Sequence, residues 1–148
     1  MRINNVYFLV DIDGTVADLS HRQHLAKSGE RFFDGVESDL PIWEVIQVVK
    51  AIRDSGASLI FLSGRSDVCR DATVRWLTKY VGSFDALYMR GRRDRRKDDL
   101  VKSDLYDVVF AALGTPALVI DDRNIVCDLW RSLNLPVWQV ISREAGDF

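Results

Sequence analysis

Proline and histidine are scarce in this chain of 148 residues, at three and two, and there are only two cysteines, Cys69 and Cys127. Two cysteines cannot make a metal cluster by themselves. Both fall in stretches of helical period, so they read as reduced core residues rather than a disulfide. No apolar stretch approaches the ~18–20 residues of a membrane span, and no signal-peptide pattern is visible. Neither export nor membrane insertion is indicated, and a cytoplasmic location is the expectation. Basic charge is not in excess: the formal net charge is −2, which argues against non-specific coating of nucleic acid while permitting a local basic patch. The chain also lacks a Gly-x-x-x-x-Gly-Lys-Ser/Thr element, internal repeats, low-complexity tracts and interdomain linkers.

What is present fits one domain over residues 1–148, large enough to bury a core without covalent staples. Hydrophobic residues make up 47% and charged residues 28%, ordinary values for a soluble globular protein. Apolar runs at 6–12, 58–62, 86–89, 117–120 and 136–140 alternate with stretches of helical period. That alternation predicts a three-layer α/β fold, a five-stranded parallel sheet covered by helices on both faces. One helix follows Pro41, with Ile42, Val45, Ile46, Val49 and Ile52 on its apolar face and Gly56 beyond its end. A second spans about 67–80, with Cys69, Ala72, Trp76 and Tyr80 on one face. A third uses Val101, Leu105, Val108, Val109 and Ala112. The fourth uses Ile125, Val126, Leu129, Trp130 and Leu133. The four tryptophans read as core or half-buried anchors, not as base-stacking platforms. Residues 14–40 are polar and too long for a strand-to-helix turn, so they are expected to fold over the carboxyl edge of the sheet as a small cap.

Three strand ends carry chemistry. Val6-Tyr-Phe-Leu-Val-Asp-Ile-Asp-Gly-Thr15 delivers Asp11 and Asp13 into a glycine turn. Leu118-Val-Ile-Asp-Asp-Arg123 ends in adjacent carboxylates, and Leu59-Ile-Phe-Leu-Ser-Gly-Arg65 ends in hydroxyl, glycine and guanidinium. In a parallel sheet these ends border a ligand crevice, and a solvated Asp-Gly turn does not account for all three together. A carboxylate can displace the alcohol of a phosphomonoester if a cation neutralises the phosphoryl oxygens. Asp11 is placed for that attack, and Asp13 can be swung by Gly14 toward the leaving oxygen as general acid and then base. Asp11, Asp121 and Asp122 offer hard oxygen ligands suited to Mg²⁺, although one member of the Asp121-Asp122 pair can instead cap the helix beginning near Asn124. Arg65 can fork onto phosphate or pair with Asp67 or Asp71.

Asp11-Ile-Asp-Gly-Thr15, Leu62-Ser-Gly-Arg65, a downstream lysine and Ile120-Asp-Asp-Arg123 resemble the ordered motifs of the haloacid dehalogenase superfamily of aspartyl phosphatases. Arg95-Arg-Lys-Asp-Asp-Leu-Val-Lys102, Trp130-Arg131 and Val137-Trp-Gln-Val140 are similar to the 3′-phosphatase domains of phage polynucleotide kinase 3′-phosphatases. The resemblance implies a Mg²⁺-dependent phosphatase of nucleic-acid 3′ ends or nucleotides, working beside a kinase or ligase on another polypeptide. It implies a metal held by Asp11, Asp121, Asp122 and the backbone carbonyl of Asp13. It assigns phosphate to Ser63 and a lysine, for which spacing favours Lys102 over Lys97, with Asp98 in support. Thr15, Gly64 and Arg65 are expected around the substrate. Arg22 is the candidate cap arginine, but departures in local spacing leave Arg31 standing beside it. Six basic residues lie between Arg90 and Lys97, and of these Arg90, Arg92 and Arg93 either touch a nucleic-acid backbone or form a solvated run. Neither His21 nor His24 is expected to ligate metal. A nucleotidase of free 5′-nucleotides is the enzymatic alternative. A catalytically silent phosphate-binding or partner-binding module is the non-enzymatic one, disfavoured because Asp11, Asp13, Asp121 and Asp122 are all present.

Overall fold

The structure, a computed structural model, describes residues 6–141. Its strands in chain order are β1 (Tyr7–Val10), β2 (Ala17–Asp18), β3 (Leu40–Pro41), β4 (Ser58–Ser66), β5 (Ala86–Arg90), β6 (Leu118–Asp121) and β7 (Val137–Gln139). Five of them form the central sheet in the order β5-β4-β1-β6-β7, with every pairing parallel. The helices are α1 (Trp43–Asp54), α2 (Arg70–Tyr80), α3 (Asp98–Leu113) and α4 (Asn124–Ser132).

Strand alternation sorts the core into two layers. Val10 and Ile12 of the first segment pack with Val45, Ile46 and Val49 of α1 and Trp76 and Leu77 of α2. Tyr7 and Leu9 face the opposite way, toward Tyr106 and Val109 of α3 and Val126 and Trp130 of α4. Truncating a buried side chain such as Leu9 to Ala is expected to cost about 2–5 kcal/mol. Continuing the alternation one step brings Asp11 out on the α3 side, which sets the geometry of the site.

Several expected boundaries and faces differ. The first strand ends at Val10 rather than 12, and β4 runs on past 62 to Ser66. The polar Ser63-Gly64-Arg65 stays in the sheet through a bulge: Ser63 pairs with Met89 and Ser66 with Arg90, which are adjacent. Val108, Ile125 and Leu133, assigned from sequence to apolar helix faces, are exposed because each lies off the arc that meets the sheet. Residues 67–80 begin with a 3-10 turn, Asp67–Cys69, before α2. The cap is an antiparallel ribbon of β2 and β3 enclosing three 3-10 helices, Ser20–Leu25, Gly29–Phe33 and Val36–Ser38. Cys69 and Cys127 are buried free thiols. Among the described residues no helix is long and apolar enough to cross a membrane.

Candidate active site

A cleft of about 1080 Å³ opens where the carboxyl ends of β1, β4 and β6 meet the cap, and Asp11, Asp13, Ser63, Lys102 and Asp122 all line it. Asp11 and Asp13 stand two residues apart, yet their surroundings are opposite in charge.

Asp11 faces α3. The ammonium of Lys102, buried on that helix, donates to Asp11 Oδ1 at 2.7 Å and to Asp121 Oδ2 at 2.9 Å. The indole of Trp130 also donates to Asp121 Oδ2 at 3.2 Å, fixing that carboxylate from the core side. Asp121 Oδ1 accepts from the backbone N–H of Asp122 and of Arg123. It therefore tightens the turn before α4, which has no side-chain cap, so the capping alternative reduces to this turn. Asp122 bends back over Gly14, whose φ of +80° suits glycine. A Cβ at Gly14 would lie 2.1 Å from Asp122 Oδ2, so the close approach of loop and carboxylate requires glycine there.

Oxygens of Asp11, Asp121 and Asp122 lie within 4.8 Å of one another. Three carboxylates against the single Lys102 ammonium leave two negative charges unbalanced, a donor set and charge that fit a hard divalent cation. Burial, with the charges of Asp121 and Asp122, pushes the Asp11 carboxyl up against the pull of Lys102. Burial and the Asp121 charge likewise push Asp122 up to about 6. Burial alone would lower the Lys102 ammonium, but the charges of Asp11, Asp121 and Asp98 outweigh it and hold the group well above the usual lysine range. Lys102 is therefore a fixed cation.

Asp13 faces the cap. Its Oδ1 accepts from Arg65 Nη2 at 2.7 Å and Nε at 3.0 Å, and from Arg22 Nη2 at 2.9 Å. Burial pushes this carboxyl up, but the charge and hydrogen bonds of Arg65, with the charge of Arg22, prevail and hold it below the usual carboxylate range. Among the described residues, the hydrogen bonds to the Asp13 side chain all fall on Oδ1, and Asp13 lines the cleft.

Both arginines differ from the expectation. Arg22 and Arg65 are fully buried and held by carboxylates, so neither presents a free fork to phosphate. Asp67 and Asp71 are not the partners of Arg65 either; Asp13 and Asp39 are. Arg31, the other cap candidate, is exposed on its 3-10 helix and does not line the cleft. Thr15 is corrected too. It is buried, donating to Asp11 Oδ2 at 3.0 Å and reaching Asp122 Oδ1 at 3.4 Å, so its hydroxyl ties two carboxylates together rather than meeting a ligand.

Other expected residues do meet the cleft. Ser63 Oγ accepts the backbone N–H of Arg65 at 3.1 Å, leaving its own proton to donate. Gly64 admits Asp98: a Cβ there would fall 1.9 Å from Asp98 Oδ1. Asp98 lies 3.7 Å from Lys102 Nζ and accepts from Arg90 at 3.2 Å and Arg123 at 3.4 Å. Lys97 is exposed at the start of α3, away from the carboxylates that Lys102 bridges. In the basic run Arg90 is a staple, donating to the carbonyls of Gly64 and Arg96 and to Asp98, which removes it from the set free to touch a strand. Arg92 forks onto Glu30 of the cap at 2.8 and 3.2 Å, while Arg93 and Arg95 are exposed.

The sequence reading missed Asp39. It is wholly buried and accepts from both Arg22 and Arg65, and no local pattern distinguishes it from the chain's other acidic residues. His21 also reaches it at 2.8 Å.

Comparison with known proteins agrees with this geometry. A protein of Autographa californica nuclear polyhedrosis virus, with an inferred assignment as a bifunctional polynucleotide kinase/RNA ligase, is 33% identical over 143 residues. That match covers 95% of this chain and 20% of the relative, so the chain spans about one fifth of the viral protein. A chain in the structure of the Pnkp1/Rnl/Hen1 RNA repair complex is 35% identical with a TM-score of 0.82, over 96% of this chain and 43% of that one. The class C acid phosphatase from Bacillus anthracis, at 16% identity and a TM-score of 0.67 over 95% of this chain and 67% of its own, shares the fold. Residues 5–148 match the family described as the polynucleotide kinase PNKP phosphatase domain. The fold, the paired strand-end carboxylates and this match agree: the chain belongs to the PNKP phosphatase-domain family and is a phosphatase of the haloacid dehalogenase type.

Proposed function

We propose that this chain removes the 3′-terminal phosphate of a polynucleotide through a phosphoryl group carried on Asp11. The observation that carries the reading is the opposite setting of two neighbouring carboxylates, Asp11 bridged to Asp121 by Lys102 and Asp13 clamped on one oxygen by two arginines. Asp11 attacks phosphorus, and Asp13 gives a proton to the departing 3′ oxygen. Asp13 then takes a proton from water, which attacks the phosphoryl-aspartate, frees inorganic phosphate and restores Asp11. Arg22 and Arg65 favour the ionised Asp13 that the second step uses; the charge of the incoming phosphate opposes them and favours the protonated form needed first. Ser63 and Lys102 hold phosphoryl oxygens. Asp11, Asp121, Asp122 and the Asp13 carbonyl would hold Mg²⁺, which when bound neutralises charge on those oxygens.

The polynucleotide substrate is supported by the viral relative's inferred kinase/ligase assignment and by the RNA repair complex in which the structural relative sits. On this reading the domain prepares broken RNA ends, and separate kinase and ligase activities complete the repair. The test is phosphate release from matched oligonucleotides bearing 3′- or 5′-phosphate, beside free 3′- and 5′-nucleotides. The 3′-phosphorylated oligonucleotide is expected to be turned over fastest. Preference for free 5′-nucleotides would overturn the substrate and make the domain a nucleotidase.

A further inference from the structure

The four tryptophans divide into two pairs. Trp76 and Trp130 are buried, and each indole N–H is spent, on the Asp39 carbonyl at 2.8 Å and on Asp121 Oδ2 at 3.2 Å. Trp43 and Trp138 are instead 50% and 38% exposed. Of these two, Trp43 lines the cleft that holds Asp11 and Asp13, and Trp138 does not. Trp43 is the first residue of α1, where the chain leaves the cap. Its mounting is tied to the catalytic loop: β3 pairs with β2, and the Ile42 N–H donates at 2.8 Å to the carbonyl of Val16, just past the Asp13-Gly14 turn. Tyr80 meets the Trp43 ring edge to face at 5.9 Å, and the Lys50 ammonium lies 5.9 Å from the ring centre. Neither Tyr80 nor Lys50 lines the cleft, so both brace the ring from outside it.

The cleft, at about 1080 Å³, is at the top of the ~300–1,000 Å³ that a drug-sized ligand occupies. A phosphate held by Ser63 and Lys102 fills a small part of that space. Its lining is also partly apolar, with Pro41, Ile42, Val140 and Ile141 contributing beside the charged groups. In a 3′-phosphorylated nucleotide the phosphate and ribose are polar, and the base is the flat, weakly hydrated surface, joined to the reacting phosphate through one sugar. We propose that Trp43 is the platform on which the 3′-terminal base stacks, so that the enzyme grips the last nucleoside as well as its phosphate. This rests on the reading of the site as a 3′-phosphatase. Every base has a π-face, so the platform serves all of them without reading sequence. Such a grip is made alike in the ground state and the transition state, and it therefore acts on KM rather than kcat.

The test removes one partner of the stack at a time. Kinetics are compared for a 3′-phosphorylated oligonucleotide with an ordinary terminal nucleotide and for the same oligonucleotide with an abasic terminal residue. Trp43→Ala is expected to raise KM about 5–100-fold on the first, the range that base–aromatic stacking supplies, with kcat within about threefold and neither constant changed on the abasic end. In the unaltered protein the abasic end should already show the higher KM. Trp43→Phe keeps a flat ring and should recover most of the loss. Trp43→Leu keeps apolar bulk without a ring face and should not, which separates stacking from the packing of α1 and replaces Trp43→Ala if that variant fails to fold. Binding is read separately: a nucleoside 3′-phosphate should quench indole emission in Asp11→Asn but not in Asp11→Asn/Trp43→Phe. Equal rises in KM on both substrates, no rise on either, or quenching that persists without Trp43 would leave the apolar wall to another occupant, such as a second copy of the chain or a partner protein, and overturn the proposal while the 3′-phosphatase reading stands. An unaltered protein that turns over 5′-nucleotides and not 3′-phosphates would overturn that reading and the platform with it.

Discussion

The two halves of the cleft are built from the same residue type and differ in what surrounds it. On the α3 side, three carboxylates share one lysine and carry surplus negative charge. On the cap side, two arginines meet two carboxylates and the charge closes. Burial pushes both Asp11 and Asp13 up, but only at Asp13 do the neighbours win. The first half is therefore a donor set that fits a divalent cation, while the second is a closed clamp on one carboxylate. A carboxylate's role is set by the charge around it more than by its own type.

The contrast breaks most sharply at the nucleophile. Asp11→Asn keeps the size but removes the anion, and turnover of oligonucleotide and dinitrophenyl phosphate should both fall to background, at least ~1,000-fold, in a protein whose near-ultraviolet circular dichroism is unchanged. Asp13→Asn should lose the oligonucleotide by about 10²–10⁴ while keeping much of its attack on the activated ester. Full activity in folded Asp11→Asn would end the covalent mechanism.

Metal removal tests the unbalanced half alone. Chelation should abolish turnover and Mg²⁺ should restore it, with Mn²⁺ a workable substitute. Binding should also appear without catalysis: Mg²⁺ at a hundred times its Kd adds about 2.7 kcal/mol, a rise in melting temperature on the order of 5–10 °C for a chain of this size. Asp121→Asn should erase that rise. Gly14→Ala should shrink it and cost about 1–3 kcal/mol in denaturant melts, since a methyl there enters the space of Asp122 in a left-handed backbone. A melting temperature indifferent to Mg²⁺ would remove the proposed metal from the site.

The half that sequence made legible is the one encoded locally. Asp11, Asp121 and Asp122 sit at the ends of apolar runs, and a parallel sheet gathers such ends at one edge whatever the loops do. Lys102 follows from its place in a motif, and one turn of α3 sets it 3.7 Å from Asp98. The clamp is different. Arg22 and Arg65 are visible in sequence, but a guanidinium's partner is chosen by tertiary placement, and neither substrate for Arg22 nor phosphate, Asp67 or Asp71 for Arg65 is the partner found. Asp39 became a partner only when the cap folded residue 39 against Arg65, 26 positions away. The same holds for the fold. Apolar strands announce themselves, whereas the polar end of β4 keeps its place through a bulge with β5 that no periodicity records.

On the proposed function a strand would run outside both halves, where effects should be smaller. With Arg90 committed to Gly64 and Asp98, the exposed arginines left to meet a backbone are Arg93, Arg95 and, by exchange with Glu30, Arg92. Replacing these three by Ser should weaken the oligonucleotide substrate several-fold, leave a nucleoside 3′-phosphate unchanged and flatten the salt dependence by about 0.7 per lost contact. Equal losses on both substrates would move the arginines into the reacting site.

The smallest expected effect is a gain. Arg92 and Glu30 join the two walls of the cleft mouth by a fork at 2.8 and 3.2 Å, the geometry in which a guanidinium also takes phosphate. Both side chains are more than half exposed, at 62% and 57%, so solvent screens the pair and it exchanges readily. On the proposed function, Glu30 competes with a substrate phosphodiester for Arg92. Glu30→Gln removes that competitor while retaining the cap's shape. KM for the oligonucleotide should fall about two- to fivefold, with a steeper salt dependence, while a nucleoside 3′-phosphate should respond little. If Glu30→Gln leaves the oligonucleotide KM unchanged and Arg92→Ser does the same, the strand does not pass between cap and basic loop. Lys27, another cation lining the cleft, is then the one to replace next.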